Sequence, residues 1–270
     1  MKPILHLIRL TSIPILQQLQ WEEALLRADK RNWCLLNHGS SPAIVMGISG
    51  QVQQLIRQEK LACQPIPLIR RFSGGGTVII DEHTLFTTLI CQAQALPLSP
   101  FPRPLMQWTA EKLYRPLFPS LPFQLHENDY TLEGRKWGGN AQSIIRGRWL
   151  HHSSLLWDYR SEHMDYLCIP PKMPTYRQGR SHVDFLCRLR DYWAHPDAFQ
   201  EQLIQQLSQH FHIVEGKREE LEQVITLPHR RVTCLIDIET LPKGTGHCTI
   251  NTVCTSGSTS QSANSFIATQ

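Results

Sequence analysis

Short apolar runs and alternating apolar and polar residues recur along the chain, and they predict many short strands interspersed with helices. The predicted strands cover residues 4–10, 33–36, 43–46, 66–70, 77–80, 84–91, 123–125, 129–132, 136–145 and 149–156. Apolar residues at helical spacing predict a helix that begins at Pro14 and further helices over residues 52–62, 105–117, 159–167, 198–211 and 218–225.

The connections between these elements predict the fold class. Residues 37–42 form a turn cluster between the second and third strands, which indicates a hairpin. Turns at Glu133–Gly134 and Arg146–Gly147 indicate an antiparallel meander over residues 123–156. Regular alternation of strand, helix and strand is missing, so we expect an α+β fold with a mixed, largely antiparallel sheet packed with helices.

Composition is consistent with one large domain. The chain has 270 residues, of which 41% are hydrophobic and 19% charged, enough for a proper core. We predict one domain over residues 1–240. Residues 241–270 are rich in Ser, Thr, Gly and Asn, which predicts a disordered tail.

Charge and cysteine usage exclude several classes of protein. The net charge of +4 is spread along the chain, so we expect no nucleic-acid partner. The eight cysteines include no C-x-x-C pair, which argues against a zinc ribbon, and we predict no metal site in the protein itself. No run of 18 apolar residues is present, so we expect no membrane span. We expect a reducing compartment, the cytoplasm or an organellar matrix, since the N-terminal residues lack a signal-peptide pattern.

A glycine-rich stretch, Ile69 to Asp81, has the composition of an anion-binding turn. It places Arg70, Arg71 and Ser73 before three consecutive glycines. Exposed backbone N–H groups in such a turn can cradle an anion, and arginine adds a planar cationic fork. The stretch therefore favours a site for an acidic small molecule, with an arginine-flanked surface turn as the alternative.

A second glycine cluster follows at residues 133–142, where Lys136 precedes Gly138 and Gly139. The glycines leave room for a ligand near the lysine ammonium, although a hairpin turn with exposed basic residues has the same pattern. Further on, His152 and Ser154 share one face of a predicted strand. His152 is either a ligand contact or a structural histidine.

These motifs together resemble the signatures of the lipoate–protein ligase family. Arg70–Asp81 is similar to R-R-x-S-G-G-G-[AT]-V-x-x-D, and Gly134–Gln142 to G-[RK]-K-[IV]-[SG]-G-[SN]-A. His152–Leu156 is similar to H-G-[ST]-L-L, Asn128–Asp129 to an N-D pair, and Gly47 to a glycine at a strand end. The matches occur in the family's order and cover residues 30 to 160. Their combination is specific.

The resemblance implies the biotin/lipoate ligase catalytic fold, related to class II aminoacyl-tRNA synthetases. It implies that ATP, with Mg²⁺, activates lipoate or octanoate to an acyl-adenylate, and that a lysine of a lipoyl domain or glycine-cleavage H protein receives the acyl group. Lys136 is then the catalytic residue. The implied substrate-binding and adenylate-binding residues are Arg71, Ser73, Gly74, Gly75, Gly76, Thr77, Asp129, Gly139, Asn140, Ala141, His152 and Ser154.

The chain also departs from the family pattern. Ile80 stands where many of these ligases carry a histidine, and Ser153 replaces a glycine. Some of these ligases carry a C-terminal accessory domain that closes over the adenylate, and here we expect only the polar tail in that place.

Two alternative functions follow from these departures and from the cysteines. An octanoyl- or lipoyltransferase on the same scaffold would use a cysteine thioester, and Cys168 is the candidate nucleophile. The alternative for Cys168 is a buried cysteine of the core. A non-catalytic acyl-carrier-binding protein would keep the pocket but lack the chemistry.

Lys172, Arg177 and Arg180 form a basic loop that either meets an acidic carrier domain or is a solvated surface loop. A biotin ligase is disfavoured because its Gly-Arg-Gly-Arg loop is absent, and a P-loop kinase because no G-K-[ST] occurs.

Overall fold

The computed structural model describes residues 1–169 and 173–238. Its strands are β1 Ile4–Thr11, β2 Trp33–His38, β3 Ala43–Met46, β4 Leu68–Arg70, β5 Val78–Ile80, β6 Thr84–Gln92, β7 Phe123–His126, β8 Asp129–Leu132, β9 Arg135–Ile145, β10 Arg148–Leu156, β11 His212–Glu215 and β12 Cys234–Leu235. Its α-helices are α1 Ile15–Ala28, α2 Val52–Leu55, α3 Gln58–Cys63, α4 Pro102–Trp108, α5 Ser161–Met164, α6 His182–Phe185, α7 Pro196–His210 and α8 Arg218–Val224.

Eight strands form the large sheet, in the order β11-β1-β2-β6-β10-β9-β8-β7. β1 runs parallel to both of its neighbours, and every other pair is antiparallel. The last four strands in sequence before α5 are the predicted meander. The α+β fold with a mixed, largely antiparallel sheet is therefore confirmed.

A second, four-stranded sheet carries the glycine-rich stretch. Its order is β12-β4-β3-β5, and the connection from β4 to β5 contains the three glycines. The predicted hairpin between β2 and β3 is wrong, because β2 lies between β1 and β6 while β3 lies in the small sheet. Gly39, with φ +79°, turns the chain from one sheet toward the other. A turn cluster marks the bend but does not specify which strands pair.

Helices cover both faces of the large sheet. Side chains alternate along β10, so Leu150 packs on one face with Trp21 of α1, and Trp149 packs on the other with Leu105 of α4 and Phe199 of α7. The core thus lies in two layers, one on each side of the sheet. The small sheet with the glycine-rich stretch lies at the α1 side, where Phe72 joins the same cluster as Trp21.

Two predicted helices are interrupted in the structure. The helix over residues 52–62 divides into α2 and α3 because Ile56 is extended and bridges to Leu167. The helix over residues 105–117 ends its α-helical part at Trp108 and widens into a π-helical turn at Thr109–Tyr114. There the Thr109 hydroxyl donates a hydrogen bond of 3.1 Å to the Leu105 carbonyl oxygen of the preceding turn. The helix predicted over residues 159–167 is shorter in the structure, where only α5, Ser161–Met164, is α-helical.

The last described residues return to the small sheet. Beyond α8, the backbone N–H groups of Val232 and Thr233 donate to the carboxylate of Glu23, at 3.0 and 2.9 Å. β12 then pairs with β4, with Cys234 opposite Arg70. Residues 239–270, which contain the predicted tail, and residues 170–172, which include Lys172 of the basic loop, lie outside the described residues. Among the helices that the structure describes, none is both long and apolar enough to cross a bilayer.

Candidate active site

The glycine loop, residues 71–77, is shaped from inside by Arg71. The guanidinium donates to the carbonyl oxygens of Gly74 and Gly76 at 2.9 and 2.8 Å, and the residue is only 4% exposed. Burial lowers the pKa of Arg71 to about 10, which still leaves the guanidinium charged near neutral pH. The structure therefore directs two donors of Arg71 to the loop backbone.

The glycine loop is packed between the small sheet and β9. The Ile48 N–H donates to the Ser73 carbonyl oxygen at 3.0 Å, and the Gly74 N–H donates to the Gln142 carbonyl oxygen at 3.3 Å. A Cβ on Gly75, whose φ is +108°, would lie 3.3 Å from the Asn140 carbonyl oxygen. The two glycine motifs, distant in sequence, are thus in direct contact.

The outer side of the loop is open. Gly75 and Gly76 are exposed, and a Cβ added to Gly74 or Gly76 would meet nothing within 4 Å. Ser73 is buried, whereas Thr77 is partly buried and its hydroxyl has no hydrogen-bond partner among the described residues. The loop therefore presents its backbone to a ligand, as a cradle for an anion requires.

Lys136 lies across Gly139 and is held by Asp129. The Lys136 ammonium is 2.9 Å from Asp129 Oδ1, and a Cβ on Gly139 would lie 3.1 Å from Lys136 Nζ. The second carboxylate oxygen of Asp129 accepts a hydrogen bond of 2.9 Å from the Tyr176 hydroxyl. Tyr176 was not predicted, because no pattern in the basic loop around it indicates that it contacts Asp129, which lies far earlier in the sequence.

The register of the sheet places most of the predicted residues on one face. Gly139 lies opposite Asp129 on one side and Ser154 on the other, and Ala141 lies opposite His152. Residues paired across antiparallel strands share a face. Asn140 lies on the opposite face, where its side chain bonds to the Asn128 carbonyl oxygen and accepts from the Ser153 hydroxyl at 2.7 Å. The structure thus brings these predicted residues to the Lys136 side of the sheet, except for the side chain of Asn140.

His152 belongs to a buried polar cluster centred on Glu22. Its Nδ1 lies 3.0 Å from both oxygens of the Glu22 carboxylate and 3.0 Å from the Thr88 hydroxyl. The Gln18 amide also donates to Glu22, which is completely buried. Glu22 was not predicted, although Gln18 and Glu22 occupy inward positions of α1 together with Leu19. This helical spacing is the signal in the sequence that could have identified Glu22 as a buried residue.

His151 points to the other face and is part of the core. Its Nε2 lies 3.0 Å from the Tyr130 hydroxyl, and its Nδ1 lies 2.8 Å from the Gln142 amide. Burial, with a smaller effect of His152, lowers the pKa of His151 to about 3. It is therefore a neutral structural histidine near physiological pH.

Cys168, the candidate thioester nucleophile, is attached through its backbone to α2. Cys168 is half-buried, and its N–H donates to the Leu55 carbonyl oxygen of α2 at 2.9 Å. Cys187 instead lies beside Lys136, with its N–H bonded to the Lys136 carbonyl oxygen at 2.9 Å. Burial raises the pKa of Cys187 to about 11, so its thiol stays protonated.

The two described arginines of the basic loop bond within the protein. Arg177 is buried, with its guanidinium 4.9 Å from the centre of the Phe185 ring. Arg180 donates to the carbonyl oxygens of Gly134 and Tyr176 at 3.1 and 2.8 Å. Neither side chain is a freely solvated docking group, so the interpretation as a solvated basic loop is wrong for Arg177.

Comparison with known sequences identifies relatives along most of the chain. The family model of the lipoyl protein ligase A/B catalytic domain matches residues 14–212. The inactive lipoate–protein ligase 2 of Plasmodium falciparum is 26% identical over an alignment of 278 positions, which covers 79% of this chain and 71% of that protein. The putative lipoate-protein ligase A of Saccharomyces cerevisiae is 27% identical over 151 residues, 56% of this chain and 36% of that protein. This chain thus matches only part of each relative's length.

Solved structures show the same fold. A lipoate-protein ligase A bound with ATP matches with a TM-score of 0.68 at 17% identity, covering 83% of this chain and 93% of the other. A bi-partite lipoate protein ligase from Thermoplasma acidophilum, described with its E2 lipoyl domain, matches with a TM-score of 0.67 at 17% identity, covering 83% and 91%. At these identities the likeness concerns the fold.

Proposed function

This chain belongs to the lipoyl protein ligase A/B catalytic domain family, and from that membership we propose that it is an active lipoate–protein ligase. Lipoate or octanoate would be activated with ATP, taken up as its magnesium complex. The acyl group would pass to a lysine of a lipoyl domain or of a glycine-cleavage H protein.

The observation that carries this proposal is the contact between the glycine loop and the strand that carries Lys136. The Gly74 N–H bonds to the Gln142 carbonyl oxygen, so the exposed backbone of Gly75 and Gly76 stands near the strand that bears the lysine. Lys136 is 22% exposed and crosses a glycine that leaves it room. A cation and a glycine cradle together suit the anionic oxygens of an acyl-adenylate.

The chemistry needs no nucleophile from the protein. In the first step a carboxylate oxygen of the acid bonds to the α-phosphorus of ATP, the bond to the bridging oxygen breaks, and pyrophosphate leaves. In the second step the acceptor lysine amine attacks the acyl carbonyl, loses a proton, and AMP leaves. In both steps the Lys136 ammonium would offset the charge that develops on the acyl and phosphoryl oxygens.

The remaining predicted residues take supporting roles in this proposal. Arg71 would keep the glycine loop in shape, Ser73 and Thr77 would complete the cradle, and Asp129 would hold Lys136. His152, tied to Glu22, and Ser154 would line the same face of the sheet beside Ala141. The ATP complex of one structural relative and the E2 lipoyl domain described with another support ATP and a lipoyl domain as substrates.

The test is adenylate formation by the purified protein. Protein, Mg–ATP and lipoate are mixed, and pyrophosphate and lipoyl-AMP are measured by mass spectrometry, followed by transfer to an apo lipoyl domain. We expect both products with the wild-type and Cys168→Ala proteins. Absence of any adenylate with either lipoate or octanoate would refute the ligase proposal. Acyl transfer from an octanoyl carrier protein without ATP, lost in Cys168→Ala, would support the transferase hypothesis instead.

A further inference from the structure

A segment within the basic loop, residues 175–180, is attached to the two turns that flank β8, beside Lys136. Its first turn contains Thr175, whose N–H and hydroxyl both donate to Glu127 Oε1 at 2.6 Å. At its far end Arg180 donates to the Gly134 carbonyl oxygen at 3.1 Å. Glu127 and Gly134 lie in the turns at either end of β8. The segment therefore spans β8, and Tyr176 lies between its two attachments.

Tyr176 reaches from this segment to the carboxylate that holds Lys136. Its hydroxyl donates to Asp129 Oδ2 at 2.9 Å, while Lys136 is 2.9 Å from Oδ1. The ring of Tyr176 lies 4.9 Å from that of His126 and 5.1 Å from that of Phe185. Ring contacts on both sides leave the hydroxyl little freedom to turn away from Asp129.

The phenol is a permanent donor in this arrangement. Burial, together with the Asp129 carboxylate, raises the pKa of Tyr176 well above its ordinary value. Asp129 itself is only 7% exposed, and its two carboxylate oxygens contact Lys136 and Tyr176. A hydrogen bond to a charged, nearly buried carboxylate is stronger than one between neutral groups.

We propose that Tyr176 is a positioning residue for the reaction, acting on Lys136 through Asp129. The hydroxyl donates to one carboxylate oxygen and fixes the rotation of the carboxylate, so that the other oxygen, paired with the Lys136 ammonium, directs Lys136 across Gly139. The inference rests on the proposed role of Lys136. It assigns a function to a residue outside every motif of the resemblance.

The test uses Tyr176→Phe, which removes the hydroxyl and keeps the ring between His126 and Phe185. We expect kcat for adenylate formation to fall about tenfold or more, the effect of losing one hydrogen bond to a charged group, while KM for lipoate stays within about twofold. Tyr192→Phe is the matched control, because the Tyr192 hydroxyl donates to the exposed carboxylate of Glu133 at 3.2 Å. It should match the wild type in kcat.

A double-mutant comparison separates positioning from a general structural effect. If Tyr176 acts through Asp129, Tyr176→Phe should change kcat by less than about twofold in an Asp129→Asn background, because coupled residues are not additive. Independent, multiplicative effects of the two substitutions would overturn the inference. Thermal unfolding of each variant checks that the fold is retained.

Chemical labelling gives a readout that does not depend on ligase activity. Without the phenol, the full charge of Asp129 acts on Lys136, so acetylation of Lys136 by acetic anhydride should slow several-fold relative to the exposed Lys112. Peptide mass spectrometry measures both sites in one sample. Equal labelling ratios in wild type and Tyr176→Phe would overturn the inference. An inactive wild type would refute the proposed function, whereas an active wild type with an equally active Tyr176→Phe would refute only the role of Tyr176.

Discussion

Gly47 lies directly against the backbone of Gly75, the central glycine of the loop. A Cβ atom added to Gly47 would overlap the Gly75 carbonyl oxygen and lie 3.2 Å from its carbonyl carbon. We therefore expect Gly47→Ala to displace the glycine loop, to lower the free energy of unfolding by about 1–3 kcal/mol, and to weaken lipoate binding. Urea denaturation and calorimetric titration with lipoate measure the two effects.

The matched control for stability is Gly74→Ala. A Cβ there meets nothing within 4 Å, so the free energy of unfolding should change by less than about 0.5 kcal/mol. Equal stability of the Gly47→Ala and Gly74→Ala proteins would contradict the close approach of Gly47 to Gly75.

Arg71 should contribute to stability through the loop that it holds. Arg71→Gln removes the buried guanidinium and leaves the carbonyl oxygens of Gly74 and Gly76 without these donors, so we expect a loss of about 2–4 kcal/mol. Arg115→Gln, which breaks an exposed ion pair with Glu111 and a hydrogen bond to the Phe123 carbonyl oxygen, should cost at most about 1 kcal/mol. Chemical denaturation of the two variants compares them. A smaller loss in Arg71→Gln than in Arg115→Gln would show that the guanidinium does not support the loop.

His151 should make stability depend on pH. Its pKa is lowered by burial to about 3, below the ordinary value of 6.5, so the unfolded chain binds the proton first as the pH falls. The contribution is fully present above pH 6.5 and is lost as the pH falls from 6.5 toward 3. Between pH 7 and pH 5 the wild type should lose about 2 kcal/mol more than His151→Gln.

Urea denaturation at the two pH values measures this difference. Replacement of the exposed His212 by Gln is the control and should leave the pH dependence of the wild type unchanged. If His151→Gln and wild type lose stability equally on acidification, His151 is not kept neutral by the fold.

Lys136 should be the most sensitive position for activity. Lys136→Ala removes the ammonium proposed to act on the acyl and phosphoryl oxygens, and we expect a loss of at least about a hundredfold in adenylate formation and transfer. The matched control is Lys112→Ala, at an exposed position in the π-helical turn. Pyrophosphate release and acyl transfer to a lipoyl domain are the measurements, and near wild-type rates would remove Lys136 from the mechanism.

The local pattern of apolar and polar residues predicted most helices and strands. It also predicted the meander of β7 to β10, because each of those strands pairs with its neighbour in sequence. It failed for β2 and β3, which do not pair with each other: β2 pairs with β1 and β6, and β3 pairs with β4 and β5 of the small sheet. The π-helical turn was also not predicted, since it depends on hydrogen bonds of the Thr109 hydroxyl with carbonyl oxygens of the preceding turn.

The motifs located the candidate site but not the groups that support it. Lys136, Gly139 and the glycine loop stand out by composition. Glu22 and Tyr176 do not, because each has a role only through a partner more than forty residues away, His152 and Asp129 respectively. Arg71 was expected to bind a ligand, and its position inside the loop follows from packing that composition does not specify.

The return of the chain to β4 has a practical consequence for shortening this protein. The family match ends at residue 212, yet Glu23 accepts hydrogen bonds from Val232 and Thr233, and β12 covers the edge of β4 next to Arg70. A fragment cut at the end of the match would bare that edge and leave a buried carboxylate short of donors. An expressed fragment should therefore extend at least to residue 238, because the sheet that bears the glycine loop is completed by residues from the opposite end of the sequence.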